Sequence, residues 1–504
     1  MKKFTLILSV LLSMVLLTSA LSVAAADTTY TLTINKEEAG RVYEAYQIFT
    51  GTLSEEDDGD LVLANIVWGT GVTADGQTAL GDAQAKADSL LTVADADAFA
   101  EAVSVYLTDV CATAVYDATA KEYTIANLAP GYYLIKDQDG SVADTKSYTA
   151  FIMKVVGDVT ATPKDGETSV EKKVDDRNDS NTSEDNLEWH DSADHDIGDA
   201  IDFMITATVT DNYDEYDSYY LALHDTEDAG LTFDATSVKV YLDGTLITDG
   251  YEVKQNTADG CTFEVVFENL KNTAAAAGSE IVVRYQSVLN ENAVIGNLGN
   301  VNKVYGEFSN NPNDEGHGKT TEDTVIVFTY TVEVNKVDED LNPLPGAVFT
   351  LEKFVADESG TEILNGINGK WVALSTVETT PDTTFTFSGL DDGEYRLTEN
   401  EAPEHYNKIE PIRFTVNAEH DVLWEVQERT DVLTSLTGDV ATGAITFASD
   451  LTAGQLTTDV VNDRGVILPE TGGIGTTILY VIGGLLVVGA VIFMITKKRM
   501  NKEN

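Results

Sequence analysis

Three polar side chains are predicted to point into the apolar interior formed by residues 325–465. Alternate residues of a strand share one face, and by this parity Lys336, Glu399 and Asn462 each continue the apolar face of a strand. A lysine and a glutamate are costly to bury unless they are paired. Burial lowers the pKa of a lysine and raises that of a glutamate, so a neutral amine can lie beside a neutral carboxylic acid. Such a set offers a nucleophile and a proton relay.

The sequence around these residues resembles a known family. The segment Tyr395–Pro403 (YRLTENEAP) is similar to the E-box of Cna-B-type domains in Gram-positive pilins, and residues 336–349 match the first strand of that family. The resemblance implies a spontaneous isopeptide bond between Lys336 and Asn462, promoted by Glu399. The alternative is a buried lysine–glutamate ion pair beside a hydrogen-bonded asparagine.

A second inward-facing set is predicted between residues 168 and 322. Lys172, Asp225 and Asn310 each share a face with apolar residues of their strands. Residues 304–312 (VYGEFSNNP) resemble the end of the Cna-A-like middle domain of backbone pilins. The resemblance implies a Lys172–Asn310 bond with Asp225 as the promoting acid. The competing residues for these roles are Lys173, Asn302 and Asp202.

The segment before residue 160 departs from this pattern. Lys36 is predicted to point inward, but Lys136 stands where the E-box carries glutamate. The last apolar strand, Phe151–Val155, brings no asparagine. We therefore predict no cross-link there.

Both ends of the chain carry targeting signals. Residues 1–26 combine a basic start, an apolar stretch and a small-residue cleavage site, which is typical of a secretory signal peptide. Residues 474–496 are uncharged and long enough to span a bilayer as a helix. The tail 497–504 begins with three basic residues, which should stay cytoplasmic.

A pentapeptide precedes the apolar span. With the span and the basic tail, it resembles the sortase sorting signal of Gram-positive surface proteins, which implies cleavage between its fourth and fifth residues and a transient membrane anchor. A permanent single-span anchor is the alternative. The residues of this motif are Leu468, Pro469, Glu470, Thr471 and Gly472.

Residues 159–165 (VTATPKD) resemble the pilin motif of backbone subunits, although Thr162 and Asp165 replace the usual outer residues. Proline holds this stretch extended, so Lys164 can be presented between two domains. The resemblance implies that Lys164 is the amine that attacks the sortase-bound Thr471 of another subunit. An ordinary interdomain linker is the alternative.

The strand patterns predict an all-β protein of tandem immunoglobulin-like (Cna-A/Cna-B type) β-sandwich domains in an elongated rod. The first domain also carries a helical insertion, with Phe99, Val103, Tyr106 and Leu107 at helical spacing and Asp95 or Asp97 as its N-cap. Val325–Val337 is predicted to be one long strand. The predicted domains are 27–160, 168–322 and 325–465, with a linker at 161–167.

Composition narrows the function further. The 504 residues include 31 Lys+Arg and 85 Asp+Glu, and a formal charge of −54 argues against nucleic-acid binding. The sequence has no HExxH, GxSxG, P-loop or Rossmann fingerprint, so we expect no enzyme and no cofactor. We also expect no metal: the acidic run 175–185 and the segment 189–196 are interpreted as solvated loops rather than metal sites. Cys111 and Cys261 are expected to be buried in separate domains.

Together these features predict a major pilin, secreted and anchored to the cell wall, which polymerises and supports adhesion. The implied partners are a pilus-specific and a housekeeping sortase, other copies of the chain, minor pilins, peptidoglycan and a host surface ligand. The alternative is an LPxTG-anchored adhesin or minor pilin, which would share the sorting signal but would not need Lys164.

Overall fold

The computed structural model describes residues 28–55, 59–163, 166–180, 187–255, 257–312, 316–378, 383–420, 432–440, 444–465 and 474–500. Strands predominate, and they form three successive pairs of sheets followed by one C-terminal helix. This confirms the predicted class of tandem β-sandwich domains.

The first sandwich pairs a sheet of order β5-β6-β1-β9 with a sheet of order β3-β2-β7-β8, and β4 pairs with β2. Its first and last strands, β1 and β9, are neighbours and run parallel. The strands are β1 (Tyr30–Ile34), β2 (Tyr43–Glu55), β3 (Leu61–Trp68), β4 (Ala112–Thr113), β5 (Val115–Asp117), β6 (Glu122–Leu128), β7 (Gly131–Asp137), β8 (Ala150–Val155) and β9 (Val159–Ala161).

Three helices interrupt this sandwich between β3 and β4, as predicted: α1 (Ala74–Leu80), α2 (Ala83–Ser89) and α3 (Val93–Ser104). The N-cap prediction for α3 is wrong. Thr92 caps the helix, and Asp95 at the third helical position completes a reciprocal capping box. Phe99 and Val103 pack in the core, whereas Tyr106 and Leu107 lie beyond the end of the helix.

The second sandwich, here called the middle domain, pairs a sheet of order β11-β10-β13-β19-β15-β16 with one of order β12-β22-β20-β14-β18-β17, and β21 pairs with β20. The strands are β10 (Ser169–Asp175), β11 (Trp189–His190), β12 (Ser192–Asp194), β13 (Ala200–Thr208), β14 (Leu221–Glu227), β15 (Leu231–Leu242), β16 (Thr245–Ile247), β17 (Glu252–Gln255), β18 (Phe263–Phe267), β19 (Glu280–Leu289), β20 (Asn300–Ser309), β21 (His317–Lys319) and β22 (Asp323–Phe328).

The third domain pairs a sheet of order β27-β23-β32-β31 with one of order β25-β26-β24-β28-β29-β30. Its first and last strands, β23 and β32, also run parallel. The strands are β23 (Tyr330–Val337), β24 (Val348–Ala356), β25 (Glu362–Leu364), β26 (Ile367–Glu378), β27 (Thr384–Leu390), β28 (Gly393–Glu401), β29 (Ile412–Glu419), β30 (Ser435–Asp439), β31 (Ala448–Asp450) and β32 (Gln455–Val461).

The predicted long strand over residues 325–337 is wrong, because the chain changes sheets at Thr329. Strand β22 pairs with β12 and β20 of the middle domain, and β23 pairs within the third domain. The apolar run is continuous because the two faces of β22 serve two cores. Val325 and Val327 pack into the middle domain, whereas Ile326 and Phe328 pack with the third.

The acidic run after β10 is not a solvated loop over its described residues 175–180. Asp179 contacts Lys353 of the third domain at 2.6 Å, and Asp196 contacts the same ammonium at 2.7 Å. Asp391 completes the group around this buried lysine. The segment 189–196 is also largely buried at this junction, since β12 pairs with β22 there.

Helix α4 (Ile474–Met500) contains an apolar stretch from Ile478 to Lys498 that is long enough to cross a membrane. None of this stretch is buried against the rest of the chain. The predicted signal peptide, Lys164 and the whole sorting motif, including Thr471, lie outside the described residues.

Candidate functional site

The third domain brings its three predicted polar residues together at the end of its parallel strand pair. Lys336 on β23 is paired in register with Val460 on β32, and its ammonium donates to the Val460 carbonyl at 2.8 Å. Asn462 follows β32 directly, and its backbone N–H donates to the Val337 carbonyl at 3.2 Å. Both side chains are fully buried.

Glu399 reaches the same place from β28 in the opposite sheet, where it too is fully buried. The Asn462 carboxamide Nδ2 donates to the two carboxyl oxygens of Glu399 at 2.9 and 3.1 Å. The backbone N–H of Ile409 also donates to Glu399, at 2.9 Å. The carboxamide oxygen of Asn462 is buried and has no hydrogen-bond partner among the described residues.

Burial disfavours the charged amine and lowers the pKa of Lys336 to about 8, although the nearby carboxyl of Glu399 acts in the opposite direction. About a tenth of Lys336 is therefore an uncharged nucleophile at pH 7. The amine, carboxyl and carboxamide have the chemical types needed for amide transfer: a nucleophile, a proton carrier and an acyl donor.

The middle domain holds a second buried group between its two sheets. The Lys172 ammonium on β10 contacts the Asp225 carboxyl on β14 and donates to the Tyr285 hydroxyl on β19 at 2.7 Å. The Tyr285 hydroxyl donates in turn to Asp225 at 2.9 Å. All three side chains are essentially inaccessible to solvent.

The asparagine of this group is Asn302, not Asn310. The Asn302 carboxamide nitrogen donates to the Tyr285 hydroxyl at 2.8 Å, so it and the Lys172 ammonium meet at one oxygen atom. The carboxamide oxygen of Asn302 is buried without a hydrogen-bond partner among the described residues, as is that of Asn462.

The predicted pairing of Lys172 with Asn310 is therefore wrong in geometry. On β20, Val304 lies opposite Asp225, and Asn310 lies six residues further along, about 20 Å away at the usual rise of a strand. Asn310 instead contacts the first domain, since its carbonyl accepts from the Tyr148 N–H at 2.7 Å.

Asp225, Glu227 and Tyr285 determine the electrostatics around Lys172 and Asn302 in the middle domain. Burial lowers the pKa of Lys172 and raises that of Asp225. Burial, with the charge of Asp225, raises the pKa of Glu227 to about 8. Glu227 lies near Asn302, at 3.4 Å from its carboxamide nitrogen, and also accepts from the hydroxyl of Ser287. The lowered amine pKa and the raised carboxyl pKa both favour transfer of the Lys172 proton to Asp225.

Sequence reasoning missed Glu227 and Tyr285, although parity carries the signal for both. Glu227 follows Asp225 two residues later on β14, and Tyr285 follows Val283 on β19, so each pair shares a face. The other competing residues lie elsewhere. Lys173 contacts Asp191 at 2.6 Å, and Asp202 accepts from Gln286 at 3.1 Å.

The first domain has a different buried pair. Arg41 donates to Asp137 at 2.8 Å, with both side chains almost wholly buried. The two lysines considered from sequence lie near acids close by in the chain: Lys36 is 3.7 Å from Glu38, and Lys136 is 3.0 Å from Asp139.

The expectation for the cysteines holds for one of them. Cys261 is buried in the middle domain, but Cys111 in the first domain is exposed. Cys111 directly precedes the short strand β4, which pairs with β2 through two residue pairs.

This architecture is similar to that of known proteins. Residues 330–430 match the SpaA prealbumin-like fold domain. The trypsin-resistant surface T6 protein of Streptococcus pyogenes serotype M6 is 25% identical over 370 residues, which are 60% of this chain and 65% of that relative. The T6 backbone pilin structure of the same species superposes with a TM-score of 0.55 at 18% identity, covering 87% of this chain and 99% of the other. The chain has the fold of a backbone pilin.

The full-length major pilin SpaD of Corynebacterium diphtheriae is also similar, with a TM-score of 0.47, 18% identity and coverage of 87% and 98% of the two chains. This backbone-pilin fold is that of structural subunits, in agreement with the prediction that the protein is not an enzyme.

Proposed function

We propose that the protein is a major pilin: a surface subunit that a sortase polymerises head to tail and anchors to peptidoglycan, and that two intramolecular isopeptide bonds stabilise. The observation that carries the proposal is the burial of a lysine, a carboxylic acid and an asparagine together in two consecutive sandwiches. The T6 relative, described as a surface protein and a backbone pilin, supports the same function.

In the third domain, the neutral Lys336 amine attacks the carboxamide carbon of Asn462. A new carbon–nitrogen bond forms, the bond from that carbon to Nδ2 breaks, and the nitrogen leaves as ammonia. The attacking amine loses one proton, and Glu399, which already accepts from the departing nitrogen, is placed to take that proton and deliver it to this nitrogen. Each molecule reacts once, so this is maturation rather than turnover.

In the middle domain, the same reaction joins Lys172 to Asn302. Asp225 contacts the amine directly, and the Tyr285 hydroxyl connects the amine to the carboxamide nitrogen. Asp225 therefore serves as the first proton acceptor. Glu227, which is nearer to Asn302, is the second acid of the group.

Polymerisation requires one donor and one acceptor in each subunit. Cleavage after Thr471 gives the donor, and Lys164 between the first and middle domains gives the acceptor. The joining of unlike sites on successive copies produces an open, head-to-tail filament. The partners are then a pilus sortase, a housekeeping sortase for wall attachment, minor pilins and a host ligand for adhesion; no cofactor is required.

Intact mass measurement tests the two bonds. Each bond expels one ammonia, about 17 Da, so residues 27–465 should be about 34 Da lighter than their sequence mass. Glu399→Ala should prevent the bond of the third domain, so its mass should be one ammonia mass closer to the full sequence mass of that variant. Glu401→Ala, which removes an exposed acid two residues along the same strand, is the matched control. A full sequence mass in the unsubstituted chain would refute the bonds.

Expression of Lys164→Ala in cells with the cognate sortase tests the polymer. The ladder of covalent oligomers should disappear while wall-anchored monomer persists. Lys121→Ala, which replaces an exposed lysine of the first domain, should leave the ladder intact. A ladder that persists without Lys164 would refute its assignment, and a chain that never forms one would favour the single adhesin.

A further inference from the structure

Four side chains with metal-binding atoms converge on the outer face of the middle domain. His224 lies on β14, and Glu264 is its direct cross-strand neighbour on β18. Asp259 and Cys261 come from the turn that precedes β18. One ligand atom from each residue lies within 4.8 Å of all the others. Because His224 has the opposite parity to Asp225, this group is separated from the cross-link by the thickness of the sheet.

The distances between these atoms approach those of a tetrahedral site. The Nδ1 atom of His224 is 3.4 Å from the Cys261 sulfur and 3.5 Å from a Glu264 oxygen. Ligands about 2.0–2.3 Å from a tetrahedral zinc ion are separated by about 3.5 Å, so both distances fit. Asp259 is closer, at 2.8 Å from the sulfur and 2.9 Å from Nδ1, because it accepts their hydrogens.

We infer that His224, Asp259, Cys261 and Glu264 form a zinc-binding site. A thiol and an imidazole beside two carboxylates favour zinc over calcium or magnesium, which prefer oxygen ligands alone. Binding would replace the thiol proton and the Nδ1 proton with the metal: the thiol proton goes to solvent, and the imidazole takes its proton at Nε2 instead, so no oxidant or reductant is needed. This inference does not depend on the proposed polymer.

The surroundings hold the ligands in place. The Tyr305 ring stacks on the His224 ring at 4.5 Å, and its hydroxyl donates to Asp259 at 3.2 Å. The Nε2 atom of His224 is buried without a hydrogen-bond partner among the described residues, and an oxygen of Glu307 lies 3.8 Å from it. A carboxylate behind a ligating histidine is a common feature of zinc sites, because it fixes the ring and increases its basicity.

A cysteine beside a histidine could also indicate a reactive thiol, but the local charges disfavour that role. The Cys261 sulfur lies 2.8 Å from a carboxylate oxygen of Asp259, so its nearest charged neighbour is negative. A nucleophilic cysteine needs the reverse, a positive environment that stabilises the thiolate. A bound divalent cation would supply that charge directly.

Cobalt(II) titration of chelator-treated residues 27–465 tests this site; helix α4 is omitted because its apolar stretch packs against no other described residue. One Co²⁺ per chain should bind with a thiolate-to-cobalt charge-transfer band, and equimolar Zn²⁺ should remove that band. Cys261→Ser should abolish it. Cys111→Ser, which removes the chain's other cysteine, is the matched control and should retain it.

Two further measurements keep the test independent of folding. Glu307→Gln, which leaves all four ligands in place, should weaken Zn²⁺ binding about 10–100-fold. Zn²⁺ should also protect Cys261, but not Cys111, from alkylation. The inference is overturned if the band persists in Cys261→Ser, or if the unsubstituted chain, with native circular dichroism, binds neither Co²⁺ nor Zn²⁺. Metal release would leave the isopeptide masses unchanged, which separates this inference from the proposed function.

Discussion

Replacement of Asn302 with alanine should abolish the cross-link of the middle domain, whereas replacement of Asn310 should leave it intact. Asn302 shares the Tyr285 hydroxyl with Lys172, and Asn310 lies just beyond the far end of β20. Both asparagines are buried, Asn302 on β20 and Asn310 directly after it, so the two alanine variants lose the same side chain from buried positions. Their difference therefore reports the covalent bond together with the Asn302–Tyr285 hydrogen bond.

The loop size sets the magnitude of the expected effect. A Lys172–Asn302 bond closes a loop of about 130 residues, and the loop-entropy relation used for disulfides assigns it about 5 kcal/mol of stability. For a domain of roughly 150 residues, 1 kcal/mol corresponds to about 2–4 °C in melting temperature, so the expected loss is about 10–20 °C. Asn310→Ala loses no loop closure and should stay within about 1–3 kcal/mol of the unsubstituted chain.

Calorimetry and intact mass on the same samples provide the assay. Relative to the unsubstituted chain, Asn302→Ala should be one ammonia mass heavier than the substitution alone accounts for, and it should lose the high-temperature unfolding transition. Asn310→Ala should show neither change. If Asn310→Ala gains the ammonia mass while Asn302→Ala does not, the register argument is refuted. If neither variant gains it, the middle domain has no bond of this kind.

Further predictions concern the junction and the third domain. Lys353→Met removes the cation that faces Asp391 and two other acids, so it should destabilise the junction by about 3–5 kcal/mol in chemical denaturation. Burial and neighbouring charge raise the folded pKa of Asp392 to about 8, so its stabilising protonation is lost as pH rises through that value. Because an unfolded aspartate already ionises near pH 4, Asp392→Asn, which keeps an acceptor for Asn178, should raise the melting temperature much more at pH 9 than at pH 5. Because the Lys336 pKa is lowered to about 8, cross-linking of newly synthesised chains, followed by mass, should slow about tenfold per pH unit below 8.

Strand parity was sufficient to find most of the buried polar residues that form the two candidate cross-link sites. It placed Lys336, Glu399 and Asn462 on inward faces, and the structure buries all three in one group. It did the same for Lys172 and Asp225. A charged residue that continues an apolar face is a strong signal, because no ordinary core position tolerates it.

Parity could not choose between Asn302 and Asn310, since both are even-numbered and continue the same alternation, although β20 ends at Ser309. The choice depends on the register between β20 and β14, which is set by distant turns and by packing rather than by the strand itself. The apolar run of β22 was ambiguous for a related reason. A strand that is buried on both faces has the same continuous apolar sequence whether its faces pack into one core or into two different cores.

The proposed linkage sites explain which domains would need covalent bonds. In the polymer, tension enters a subunit at Lys164 and leaves at Thr471, so it passes through the middle and third domains. The first domain precedes Lys164 in the chain and therefore carries no tension. Its parallel β1–β9 pair and the Arg41–Asp137 contact then have only to resist thermal unfolding.

The two bonds would protect the loaded domains to different extents. In the third domain, tension runs along β23 to Lys336 and crosses to Asn462, so residues 337–461 are bypassed almost entirely. In the middle domain, tension crosses from Lys172 to Asn302 but must still continue along β20, β21 and β22. Because Asn302 is paired with Val325, the ends of segment 303–324 are adjacent, and a force on them separates β20 from β22 one residue pair at a time. That segment is therefore the part of the middle domain that should open first under load.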